Sequence, residues 1–173
     1  MKSLVMIVMS FLVAGCASTY ETPVPRAKDV DLKRFMGKWY VIANIPTFIE
    51  KGAHNAVESY AMNEDGTIAT TFSFNKNSFS GEKKVYRPTG FVSEHDASEW
   101  GMQFIWPFKA EYIVAYLSHD YQQTIIARNA RDYVWIMART PHLDKDTYQD
   151  LIKRCVAMGY KEELILKIPQ EKK

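Results

Sequence analysis

Four histidines, two cysteines and a scatter of strand carboxylates are the residues of this chain whose types could do chemistry, and their spacing supports little of it. His54, His95, His119 and His142 all fall in turn-like stretches, and none has the i, i+4 or carboxylate-bracketed spacing of a metal or axial haem site. No Gly-x-Ser-x-Gly elbow, phosphate-cradling glycine loop or dinucleotide glycine set occurs. Glu58, Glu99 and Glu111 lie in strand-like runs, where a lone carboxylate reads as outward and solvated and not as a general base. No catalytic residue, metal or cofactor is therefore assigned. Cys155 reads as a small apolar residue on an amphipathic helix, and two cysteines are too few for a disulfide framework.

Cys16 is the exception. Lys2 precedes an apolar run from Leu4 to Val13 broken only by Ser10, too short for a membrane span of roughly 18–20 residues. The run ends in Val13-Ala14-Gly15-Cys16, which resembles the bacterial lipobox: residues 1–15 leave as a signal peptide and the Cys16 thiol takes the lipid. Ala17 stands where the inner-membrane retention signal would place Asp, which implies sorting to the outer membrane. A stable anchor requires two or more acyl chains. Residues 16–29, with Ser18, Thr19, Pro23, Pro25 and Lys28, read as the lipidated N-terminus and a polar tether, and 30–173 as one domain. The formal net charge is +2 and falls to +1 without Lys2; with both signs mixed along the chain, nothing favours nucleic acid.

The strongest signal is aromatic. Tyr60, Phe72, Phe74, Phe91, Trp100, Phe104, Trp106, Phe108, Tyr112, Tyr116 and Trp135 fall in or beside extended segments. Those segments are 39–45, 56–63, 67–74, 84–93, 99–106, 110–117, 122–128 and 132–140, separated by turn signals such as Asn63-Glu64-Asp65-Gly66. Eight strands about ten residues apart predict an antiparallel meander, closed into a barrel that leaves no exposed sheet edge. The period then changes. Leu151, Ile152, Cys155, Val156 and Met158 predict one helix over 144–158, with Asp144 as N-cap and Gly159 just past the end; a short strand over 164–168 follows. Within 132–140, Tyr133, Trp135, Met137 and Arg139 share one face, and Val134, Ile136 and Ala138 share the face a helix would cover.

Gly37-Lys38-Trp39-Tyr40 after a helical turn, Arg139 at the end of the last long strand and one trailing helix together resemble the lipocalin family. The resemblance implies an all-β fold: an eight-stranded up-and-down barrel with a C-terminal helix outside it. It also implies that Gly37, Trp39 and Arg139 close the barrel, the guanidinium lying on the indole. Phe48-x-Glu50-x-Gly52, Pro107-Phe108, Asp120-Tyr121 and Asp132-Tyr133-x-Trp135-Ile136 are similar to bacterial outer-membrane lipocalins, which implies a cup holding a fatty acid or lysophospholipid. A homodimer is left open. Pro107 predicts a strand break, with Phe104, Trp106 and Phe108 at the rim. Trp135, Tyr133, Tyr112, Phe72 and Phe91 are expected on the chain, and Lys109 on the headgroup. A tetrapyrrole or other small hydrophobic ligand, or a solid barrel that docks to envelope partners, are the alternatives.

Overall fold

A computed structural model describes residues 22–171; Cys16 and the signal segment lie outside the described residues. The strands are β1 (Gly37–Ile45), β2 (Ala53–Met62), β3 (Ile68–Lys76), β4 (Lys83–Tyr86), β5 (Thr89–Val92), β6 (Glu99–Ile105), β7 (Phe108–Leu117), β8 (Gln123–Ala127), β9 (Val134–Ala138) and β10 (Leu166–Lys167), with helices α1 (Leu32–Phe35) and α2 (Lys145–Ala157). Every pairing is antiparallel; the barrel strands pair in chain order, β10 adds to β1, and β9 returns to β1 through Tyr40–Ala138 to Ile45–Val134. The sheet is thus closed. Its eight barrel strands match the sequence expectation once β4 and β5, which both pair with β3, are taken as one strand. The break falls at Arg87-Pro88, where proline has no N–H for the ladder and its carbonyl instead accepts from Thr70 N at 3.1 Å.

Alternation sorts the apolar side chains into two cores. Phe35, Trp39, Tyr60, Ile68, Trp100 and Met137 pack inside the barrel. Ile113, Ile125, Val134 and Ile136 pack outside it against Leu151, Ile152 and Cys155 of α2. Asp144 caps α2 by accepting from Thr147 N at 2.8 Å, and Gly159 supplies the left-handed residue (φ +96°) after it. Val156, expected on the buried face, points outward and is exposed. The C-terminal strand is shorter than expected, because Glu162–Leu164 forms a 3-10 turn.

Burial pushes the Cys155 thiol up to about 12, so little thiolate forms at neutral pH. A maleimide is expected to leave Cys155 unmodified in the native protein and to modify it in denaturant, read by peptide mass. Rapid native labelling would contradict this packing.

Residues 22–29, expected within the tether, lie along the barrel instead. Val24 is buried and donates its N–H to Asn129 Oδ1 at 2.9 Å, Ala27 N donates to Val114 O at 2.8 Å, and Arg26 pairs with Glu99 at 2.9 Å. The apolar surface of Val24 and these backbone partners outweigh the two prolines. Among the described residues no helix is long and apolar enough to cross a membrane.

Candidate ligand cup

The closed end is a plug of rings. Phe35 packs against Trp39, Tyr60 and Trp100 at centroid distances of 5.1, 5.6 and 5.4 Å. The Trp39 indole donates to Phe35 O at 2.8 Å. Arg139 lies over that indole at 3.7 Å and donates to five carbonyls: Lys38 and Arg34 at 2.8 Å, Met36 at 2.9 Å, Phe35 at 3.0 Å and Tyr121 at 3.4 Å. It therefore ties α1 across the barrel floor. Gly37 sits beside the guanidinium at φ +90°, where a Cβ would stand 3.5 Å from Arg139 Nη1.

Above the plug the interior opens into a cavity of about 420 Å³, within the range of small-molecule sites. Five of the residues expected on the ligand line it: Phe72, Phe104, Tyr112, Tyr133 and Trp135. Trp106 and Phe108 do not line it; they stand 82 % and 77 % exposed at the rim, on the turn through Pro107. Phe91 and Lys109 are not brought to it. The Lys109 ammonium lies 3.5 Å from the centre of the Phe91 ring and its stem packs beside Gly101. Ala110 and Tyr112 of β7 line the cavity, and so does Glu111, which has the parity of Lys109; Lys109 is kept off it by its seat over the Phe91 ring, reached across the bare backbone of Gly101.

The cavity also holds polar groups that the sequence reading placed outside or did not assign. Glu58 lines it and accepts from Tyr60 Oη and, at 3.2 Å, from Tyr112 Oη, all on one carboxylate oxygen. The two hydroxyls also contact each other. Burial pushes the Glu58 carboxyl from its ordinary 4.5 up to about 7, with the Glu50 charge adding to the rise and the tyrosine hydrogen bonds opposing it. Glu58 keeps some accessible surface, and that surface is the cavity wall. Burial likewise holds the Tyr60 and Tyr112 hydroxyls neutral, well above the usual phenol range.

Glu50, 4 % exposed, accepts from the Trp135 indole and from Thr47 N, both at 2.8 Å; it fixes the Trp135 ring and the β1–β2 loop together. Arg128 contributes a cation to the lining. Its guanidinium pairs with Asp132 at 3.3 Å, while its buried Nε has no hydrogen-bond partner. Among the described residues no group of His, Cys, Asp and Glu is clustered to hold a metal ion.

The lipocalin-like domain family matches residues 30–170, the span of the barrel and its helix. The chain belongs to the lipocalin family. Among lipocalins it is 32 % identical to temperature-induced lipocalin-1 of Arabidopsis thaliana, over 83 % of this chain and 81 % of that protein. It is 26 % identical to the outer membrane lipoprotein Blc of Citrobacter freundii, over 93 % of this chain and 92 % of that one. The Vibrio cholerae Blc lipoprotein is 24 % identical over 99 % of this chain and all of its own length. Together these support a Blc-type lipocalin. Insecticyanin of the tobacco hornworm Manduca sexta shares the fold, with a TM-score of 0.69 at 15 % identity over 88 % of this chain and 87 % of that one.

Proposed function

We propose that this lipocalin is an outer-membrane-anchored carrier that holds one fatty acid or lysophospholipid in its cup, for lipid storage or transport in envelope maintenance. The observation that carries the reading is the cavity: about 420 Å³, open at one end and walled mainly by apolar and aromatic side chains. Each methylene removed from water contributes about 0.8 kcal/mol. A chain of about a dozen carbons therefore supports micromolar-range affinity after the costs of ordering and association. Phe72, Phe104, Tyr112, Tyr133 and Trp135 contact the chain, and Arg128 at the mouth meets an anionic headgroup. Anchoring is through acylated Cys16 and is supported by the lipobox and by the Blc lipoproteins among the relatives. The role is carriage, not catalysis, because each carboxylate lining the cup is held by protein donors: Glu58 by Tyr60 and Tyr112, Glu50 by Trp135 and Thr47, and Glu111 by Asn129.

Arg128→Gln is expected to weaken a lysophospholipid about tenfold, since hydrogen bonds to charged groups contribute about 1.5–3 kcal/mol, while a neutral alkyl probe is unaffected. Equal losses for both in a fluorescence titration would remove Arg128 from the headgroup site. The reading as a whole is tested by native mass spectrometry of protein purified from its own membranes, with lipid extraction. A single-chain lipid at one copy per barrel is expected. An empty barrel that also takes up no added fatty acid, or a Soret band after haem addition, would overturn it.

A further inference from the structure

The N-terminal segment joins the barrel at its open end. Arg131 Nη2 donates to Thr22 O at 2.8 Å and Asn129 holds Val24; both belong to the β8–β9 loop, whose flanking Arg128 and Tyr133 line the cavity. From there the chain descends past Val114 to Asp31, whose N–H reaches Tyr121 Oη at 2.8 Å at the floor. Cys16 is six residues before Thr22. Fully extended, that stretch spans at most about 22 Å, whereas a ten-residue strand tilted by ~40° gives about 25 Å of barrel height. A lipid on Cys16 thus keeps the mouth, and not the floor, at the membrane.

The mouth is built for such a surface. Phe48 (84 % exposed), Ile105 (73 %), Trp106 (82 %) and Phe108 (77 %) stand in solvent on the β1–β2 loop and the β6–β7 turn, whose Phe48, Phe104 and Ile105 line the same cavity. Exposed apolar side chains gathered at one end of the barrel mark an interaction surface, and tryptophan favours the headgroup level of a bilayer. Charge follows the same axis. The open-end turns carry Lys51, Lys76 and Lys83, and their acids Glu82 and Asp132 are paired with Lys84 and Arg128. The closed-end turns carry Glu64, Asp65, Glu94, Asp96 and Asp120. An anionic leaflet attracts the first end; at the second, the Arg26–Asp96 pair and the cations Lys33, Arg34 and Lys38 offset the acids.

We infer that the open end docks mouth-down onto the anionic lipid surface that holds Cys16, with the aromatic rim at headgroup depth, so that an acyl chain passes between bilayer and cup without crossing water. The inference rests on the lipid-anchor reading above. To test it, the full lipoprotein is purified from membranes and placed in phosphatidylethanolamine–phosphatidylglycerol vesicles. A bimane label is carried on Ile105→Cys or on Asp65→Cys, and quenching by chain-brominated phospholipid is measured. The label at 105 is expected to lose roughly half its fluorescence, as an interfacial side chain would, and the label at 65 almost none. Adding Trp106→Ser and Phe108→Ser, both at exposed positions that leave folding intact, is expected to abolish most of the quenching at 105. Quenching at 65, quenching at neither site, or an unquenched rim in a protein that sediments as a dimer would overturn the orientation. Intact mass reads the anchor separately: a bare Cys16 overturns the reading beneath the proposal, and an acylated chain with an unquenched rim overturns only the docking.

Discussion

Arg139→Ala is expected to lower the unfolding free energy by about 3 kcal/mol, the larger part of what holds α1 on the floor. Hydrogen bonds from a charged donor contribute about 1.5–3 kcal/mol each when buried, and the contact with Trp39 roughly 1–2 more. Partial exposure of the guanidinium reduces that sum. Arg139→Lys is expected to recover little, because an ammonium cannot span carbonyls at 34, 35, 36 and 38 as a planar fork does. Urea denaturation measures both variants. Ligand affinity of the folded Arg139→Ala protein should equal that of the wild type, since the contact lies beneath the plug and outside the cavity. A variant of normal stability, or one with selectively impaired binding, would contradict a purely structural role.

Glu58 should make both stability and binding depend on pH. Its carboxyl is raised in the folded state from 4.5 to about 7, so the folded protein holds a proton that the unfolded chain has released. The associated stability is complete below pH 4.5 and is lost as pH rises through about 7. A rise of that size corresponds to about 3 kcal/mol. Glu58→Gln keeps the polar contacts of the neutral acid without its charge, so it should be the more stable protein above pH 7 and show a flatter profile. Acyl-chain affinity should fall several-fold above the same pH in the wild type, because an apolar chain then buries a carboxylate, and should stay level in Glu58→Gln. Denaturation and fluorescence titrations at pH 5 and pH 8.5 measure the two effects. Parallel pH profiles for wild type and variant would mean that Glu58 is ionised and hydrated in the cup.

The barrel was legible because its rules are local. Period-two runs, turn residues and a single period-3.6 segment specify eight strands and a helix, and Trp39 and Arg139 stand at the ends of strands that must meet once the sheet closes. The cup was legible only in part. Ala56, Glu58 and Tyr60 alternate, so reading Tyr60 as interior already placed Glu58 beside it; the weight given to an outward carboxylate hid this. What makes that position tolerable is Tyr112, 54 residues away on β7, and no local pattern announces such a partner. Lys109 is a second case, since no local pattern announces that Gly101 leaves its stem room to reach the Phe91 ring. Val24, flanked by prolines in a polar stretch, gave no sign that Asn129 would hold it. Arg128 and Glu50 lie at strand and loop ends, where alternation stops informing direction.

A displacement titration with a fluorescent fatty acid, run on the wild type and on Ala110→Trp, tests the central claim most directly. Ala110 lines the cavity opposite Met102, so an indole there fills the path of the chain without touching the floor or α2. The account predicts saturable binding at one site per barrel in the wild type, displaced by lysophospholipid, and loss of at least about tenfold in affinity in an Ala110→Trp protein of unchanged stability. Equal binding by both proteins would place the lipid somewhere other than the cup, and no binding by the wild type would mean that the cup does not serve as a carrier.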